Sequence, residues 1–235
     1  MAYSRILLKL SGEQLSGQYD SGIDIEFCRW LAGQIRPVVA SGTQVVIMVG
    51  GGNYVRGAQL AGESIHRVTA DNIGMLATMM NATALSDIWN AEGVESRALS
   101  SIVAEQIVDP FTHRRAVSHL HKNRVVIVGG GIGRPYLTTD TAAVSLALEL
   151  SCKAVLKATK VDGIYDKDPA KYPDAIRYES LDFQTAVADD HVKVMDKAAL
   201  GLAMEHELPL VVFDATDDGA IARVVAGEAV GTKIS

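Results

Sequence analysis

Cysteine is nearly absent. Two residues, Cys28 and Cys152, stand in a chain of 235, too few for a disulfide framework and without metal-ligand spacing; both read as reduced thiols packed in helices. An excess of basic charge is also missing. Lysine and arginine number 22 against 28 aspartates and glutamates, a net charge of −6. That argues against broad binding to nucleic acid or to an anionic membrane, which need a basic surface. "MAYSRILLKLSGE" enters a strand-like run at once, with no leader-like segment, and no apolar run is long enough to span a bilayer. The expectation is a cytoplasmic protein that needs neither nucleic acid nor membrane. No linker rich in proline, glycine or serine interrupts the chain. Two familiar phosphate-binding signatures are missing as well: G-x-x-x-x-G-K-[ST] does not occur, and neither GGGN nor GGGIGRP completes G-x-G-x-x-G.

What is present is alternation. Strand-like runs begin at Arg5, Gln44, Ser96, Arg124, Ala154 and Leu208, several of them almost continuously apolar, as strands covered on both faces are. Helix-period segments lie at Ile25–Ala40, Thr69–Glu92, Phe111–Lys122, Thr139–Leu150, Val194–Glu207 and Ala220–Ala226. The pattern predicts one α/β domain over 1–235, a three-layer αβα sandwich around a mostly parallel sheet. A coarse division near Lys153 would leave one site before it and a second part sharing the same sheet after it.

Ligands of open α/β sheets bind at the carboxyl ends of strands. Three glycine-bearing segments fall there: "KLSGE" (Lys9–Glu13), "GGGN" (Gly50–Asn53) and "GGGIGRP" (Gly129–Pro135). Glycine lets backbone approach a ligand closely and permits positive φ, so that successive N–H groups converge on an anion; singly, each is equally an ordinary strand-to-helix turn. Cations accompany them. Lys9 is a lone lysine within an apolar strand, costly unless partnered, and Arg56 follows the second glycine run, suited to bidentate phosphate contact. Asp71 and Asp140 lie at helix starts, and Thr138 or Thr139 can cap the second of these. "KATKVDGIYDKDP" brings Thr159, Asp162, Tyr165 and Asp168 into one polar loop, either a cradle for adenine and ribose or a solvated turn. His113, His119 and His121 read as surface residues. Met75, Met79 and Met80 read as core or subunit interface, and the apolar Thr69–Glu92 helix as a dimer contact.

In this order KLSGE, GGGN-x-x-RG, NIGMLATMMNA, TTDTAA, KATKVDGIYDKDP, KVMD and the closing GT-x-I resemble the bacterial uridylate (UMP) kinases of the amino-acid-kinase superfamily, over essentially the whole chain. The resemblance implies an amino-acid-kinase-like fold and transfer of the γ-phosphoryl group of ATP to UMP, with Mg²⁺, in a homohexamer. It implies that Lys9, Leu10, Ser11, Gly12, Gly52 and Arg56 contact ATP phosphates and that Thr159, Tyr165 and Asp168 hold its adenosine end. Gly51, Asp71, Ile132, Gly133, Arg134, Pro135, Tyr136, Leu137, Thr138 and Thr139 would hold UMP. Lys9, Arg56 and Asp140 would be catalytic, with Asp140 holding Lys9. The acceptor part would be about 1–153 and the ATP part about 154–235. A GTP-responsive segment maps to Gly17–Gly22, and UTP would inhibit. The third loop departs from the family's G-T-G-N-P: Ile132 and Arg134 replace a hydroxyl and an amide, so discrimination between UMP and CMP is expected to be weaker. The alternatives are a related kinase for a carboxylate or carbamate acceptor and a non-catalytic nucleotide-binding relative.

Overall fold

A computed structural model describes residues 3–62, 64–169, 171–189 and 195–235. Its strands are β1 (Arg5–Leu10), β2 (Gln44–Val49), β3 (Ser96–Ser100), β4 (Asp109–Pro110), β5 (Val125–Gly129), β6 (Val155–Thr159), β7 (Ser180–Leu181), β8 (Leu210–Asp214) and β9 (Thr232–Ile234). They form one sheet in the order β4-β3-β5-β2-β1-β6-β8-β9-β7. Every pairing is parallel except β8 with β9. The helices are α1 (Gly12–Leu15), α2 (Ile25–Ala40), α3 (Gly57–Leu60), α4 (Arg67–Ala91), α5 (His113–Leu120), α6 (Thr139–Glu149), α7 (Phe183–Ala188), α8 (Lys197–Glu205) and α9 (Ala220–Ala226).

The continuous apolar strands are buried on both faces because successive side chains point to opposite sides. Leu7, Val46, Met48, Val126 and Val128 pack with α5, α6 and α8. Ile6, Leu8, Val45, Ile47, Val125 and Ile127 pack with α2, α4 and α9. The expected three-layer α/β sandwich is therefore what forms. Period two also places Lys9, two residues beyond Leu7, on the α6 face.

The long elements lie where the alternation puts them, within a residue or two for most boundaries. The helix expected from Val194 begins at Lys197, with Asp196 as its cap; Lys193 and Val194, the first half of KVMD, lie outside the described residues. The short β4, β7, α1, α3 and α7 carry too few residues to show a period. Antiparallel β9 is three residues long and finds its place by pairing with β8. His113 and His121 are exposed, but His119 is half-buried, and burial, then the neighbouring Arg124, Arg97 and Lys122, pushes its pKa down. Among the described residues no helix is long and apolar enough to cross a membrane.

Trp89 on α4 is fully buried, and its indole N–H donates to the Cys28 carbonyl at 3.0 Å. Trp89→Ala should cost about 3–5 kcal/mol, the range for truncating a large aromatic in a core, read as a lower denaturant midpoint at unchanged slope.

Candidate active site

Lys9 and Lys157 are register partners on the adjacent parallel strands β1 and β6, so their side chains leave the same face of the sheet near its carboxyl edge. Asp140, in the first turn of α6, lies between them. Lys9 Nζ is 2.9 Å from Asp140 Oδ1, and Lys157 Nζ donates to Asp140 Oδ2 at 2.8 Å. Each Asp140 oxygen thus faces its own ammonium group. All three side chains are largely buried. Burial alone would push the Asp140 carboxyl up, but the two ammonium groups outweigh it and hold it below the usual carboxylate range. Lys157 is pushed down, first by burial and then by Lys9, against the opposing pull of Asp140.

The glycine segments wall this centre. Gly50–Gly52 do not adopt positive φ, contrary to one expectation for them; close approach is what excludes a side chain here. A Cβ on Gly12 would sit 2.5 Å from the Gly52 nitrogen, and one on Gly51 would sit 2.9 Å from the Gly74 carbonyl oxygen of α4. The third loop is different. Gly130, Gly131, Gly133 and the non-glycine Tyr136 all have positive φ, between 55° and 79°, which turns the chain sharply between β5 and α6.

Helix α4 holds both loops. Asn81 and Asn53 form a buried reciprocal amide pair, in which Asn81 also donates to the Gly50 carbonyl and Asn53 to the Gly22 carbonyl, each at 2.7 Å. Thr78 Oγ1 accepts from Gly130 N at 2.6 Å. Asp71 accepts from Tyr136 N at 2.9 Å and from Arg67 Nε at 2.9 Å through both oxygens. Arg67 also lies 5.4 Å over the Tyr136 ring. A cation thus stands beside Asp71, so Asp71 alone does not argue against a carboxylate acceptor.

Other expected residues are distributed around the same rim. Arg56 is ion-paired with Glu13 in α1, and a Cβ on Gly52 would lie 3.2 Å from that carboxylate. The Ser11 amide donates to Gln14 Oε1 at 3.0 Å. Ile132 packs its side chain against the core. Arg134 is exposed and forms no ion pair among the described residues. Pro135 and Thr139 are half-buried, and Leu137 is exposed. Thr138 caps α6 by accepting from Asp140 N at 3.0 Å, while its hydroxyl donates to Asp196.

Beyond Lys157 a cavity of about 800 Å³ opens, lined by Thr159, Tyr165, Asp168, Lys171 and Tyr172, within the size of ordinary small-molecule sites. The three expected adenosine-end residues thus share one cavity that begins at Lys157. The Tyr165 hydroxyl donates to Asp162 at 2.6 Å, which raises the tyrosine's pKa.

Sequence reasoning missed Lys157, Asn53 with Asn81, and Asp196 as site residues. Lys157 carries the signal that singled out Lys9, a lone lysine in an apolar strand. The asparagine pair has no such signal, because its partners are 28 positions apart.

A model of the amino acid kinase family matches residues 4–214. Among solved structures, a UMP kinase from Bacillus anthracis is 37% identical, with 100% of this chain and 97% of that one covered and a TM-score of 0.95. A UMP kinase from Ureaplasma parvum is 34% identical, covers 100% of both chains and gives a TM-score of 0.91. A uridylate kinase from Archaeoglobus fulgidus is 28% identical over 98% of this chain and 99% of that one, with a TM-score of 0.74.

Asp140 has a depressed folded-state pKa, so its stabilising contribution is complete above the unfolded carboxylate value, about 4, and is lost as pH falls through the lower folded value. The stability difference between the wild type and Asp140→Asn should be constant from about pH 5 to 8 and shrink below about pH 4. Denaturant unfolding across that range measures it; a difference still growing between pH 5 and 7 would contradict the assignment.

Proposed function

The chain belongs to the amino acid kinase family, and from that premise we infer that it is a UMP kinase, transferring the γ-phosphoryl group of ATP to UMP to give UDP and ADP in pyrimidine nucleotide synthesis. The observation that carries this is the Lys9–Asp140–Lys157 triad at the carboxyl edge of β1 and β6, with glycine loops on one side and a nucleoside-sized cavity on the other. Two ammonium groups held side by side at that edge would present positive charge to an anionic ligand.

The acceptor is a phosphate, already anionic near neutral pH, so no strong general base is needed. Catalysis then consists of aligning two phosphates and stabilising the charge on the group in transit. Lys9 and Lys157 face that charge, and Asp140, kept ionised, holds both ammonium groups in place. Lys9, Leu10, Ser11, Gly12, Gly52 and Arg56 would border the donor phosphates, and Thr159, Tyr165 and Asp168 its adenosine. The Ser11 amide and hydroxyl both donate to Gln14 Oε1, so a phosphate contact from Ser11 would take one of them from Gln14. Gly51, Asp71 and residues 132–139 would hold the acceptor. The Thr138 proton is engaged by Asp196, leaving Thr139 and loop amides as donors. Ile132, turned to the core, would not read the base, consistent with appreciable CMP turnover.

Mg²⁺ would arrive with the nucleotide. The donor set fits that: Asp140 is shared by two ammonium groups, and among the described residues no three His, Cys, Asp or Glu side chains are grouped to hold a metal ion, so phosphates would supply most of its ligands. When bound, it neutralises phosphate charge. We also propose a cytoplasmic homo-oligomer, a hexamer built from dimers, in which the exposed Leu76 and Met80 of α4 and the nearby Ile107 form an apolar contact. Activation by GTP at Gly17–Gly22 would reach the centre through Asn53, bonded to Gly22 in both directions; inhibition by UTP is proposed on the family resemblance.

A coupled assay of ADP release with UMP, CMP, glutamate and carbamate tests the reading. UMP should be the best acceptor and CMP a weaker one; turnover of glutamate or carbamate above that of UMP would overturn it. Lys9→Ala should lower kcat on the order of 10³-fold, as losing a charge on the transferred phosphoryl does, without loss of fold by circular dichroism. Asp71→Asn should raise KM for the acceptor far more than KM for ATP, and steady-state kinetics showing the reverse would move Asp71 to the donor side.

A further inference from the structure

Asp196 caps α8, accepting from Ala199 N at 2.9 Å. A cap needs one acceptor, and serine or asparagine serves as well as aspartate. This carboxylate does more. Both of its oxygens accept from the Thr141 hydroxyl, at 2.9 and 3.0 Å, and Oδ2 also accepts from Thr138. Thr138 and Thr141 bracket Asp140 in the first turn of α6, and Thr138 in turn accepts from the Asp140 amide. Asp196 therefore ties down the turn that aims the Asp140 carboxylate at Lys9 and Lys157.

We propose that Asp196 is a positioning residue for the phosphoryl transfer inferred above: through Thr138 and Thr141 it fixes Asp140 between the two lysines. Its carboxylate also acts electrostatically on Lys157, after burial, Asp140 and Lys9. The proposal rests on that functional reading. Among the described residues, the charged groups that act on Lys157 include Asp140 from α6, Lys9 from β1 and Asp196 from the start of α8. Burial and Lys9 work against its protonated form, while both aspartates support it. Removing the Asp196 charge leaves Asp140 as the opposing carboxylate among these groups.

Three variants separate this role from helix capping. Asp196→Ser keeps a good cap but is too short to reach both threonines. It should fold with a melting temperature near that of the wild type, yet lose ~10- to 10²-fold in kcat, as small misplacements of reacting groups do, with both KM values within about 3-fold. Asp196→Asn should lower the pH at which Lys157 titrates in lysine-labelled NMR, a readout that needs no turnover. Thr141→Val, nearly isosteric, leaves the α8 cap in place and should still lower kcat several-fold. A Ser or Val variant with more than about half the wild-type kcat would make Asp196 a helix cap only, and an unmoved Lys157 titration would overturn its electrostatic part. If the wild type itself fails to turn over UMP with ATP, the reaction assignment falls, while the Lys157 titration still decides the coupling to Asp196.

Discussion

One carboxylate shared by two buried ammonium groups sets the terms for the rest of this molecule. Taking three charges out of water costs several kcal/mol per ion even after relaxation, and attraction offsets that only where geometry is good and remaining polar atoms are satisfied. Here one carboxylate stands within ion-pair distance of both ammonium groups, and Asp196 acts on Lys157 as well. As a stabilising device the arrangement is poor. As a receptor for a polyanion it is sound, since two ammonium groups held side by side can face phosphates, and in a low-dielectric site the fixed charges need little reorganisation when they arrive.

The walls around that charge are built by contact more than by flexibility. Residues 71, 74, 78 and 81 of α4 recur at three- and four-residue spacing and so lie along one helix face. That face meets the Tyr136 amide, Gly51, the Gly130 amide and the Gly50 carbonyl in turn. A single helix thereby sets the distance between the second and third glycine loops. Gly51 is glycine because α4 comes within van der Waals contact of its backbone, whereas Gly130 and Gly131 are glycine because the turn requires left-handed φ. Residues of one type thus answer two different demands.

Much of this was legible in the sequence, for physical reasons. Strands such as QVVIMV, buried on both faces, are continuous apolar runs with no other plausible home, and β2 spans those six residues. Lys9 stood out because a charge within such a run needs a partner, and Asp140 was found for it. Lys157 was read as the start of a polar loop; its equivalence to Lys9 appears only when β6 pairs beside β1, a nonlocal fact. Arg56 looked like a free cation until folding placed Glu13 against it. Asn81 sits mid-helix among alanines and threonines, where only the tertiary partner Asn53 distinguishes it from any polar helix residue.

The order of these parts along the chain has a mechanical consequence. Lys9 precedes residue 153 and Lys157 follows it, and Asp140 is carried by α6, the last helix before that point. The loops on the proposed acceptor side all come from the first portion, while most of the 800 Å³ cavity comes from the second. The triad joins the two, at the β1–β6 pairing in the middle of a continuous sheet. Relative movement of the portions would have to stretch an ion pair in a poorly solvated site, where charge–charge energy varies more steeply with distance than in water. The same electrostatics that would draw phosphate in therefore also hold donor-side and acceptor-side groups at one separation, which is the requirement for in-line transfer between two bound phosphates.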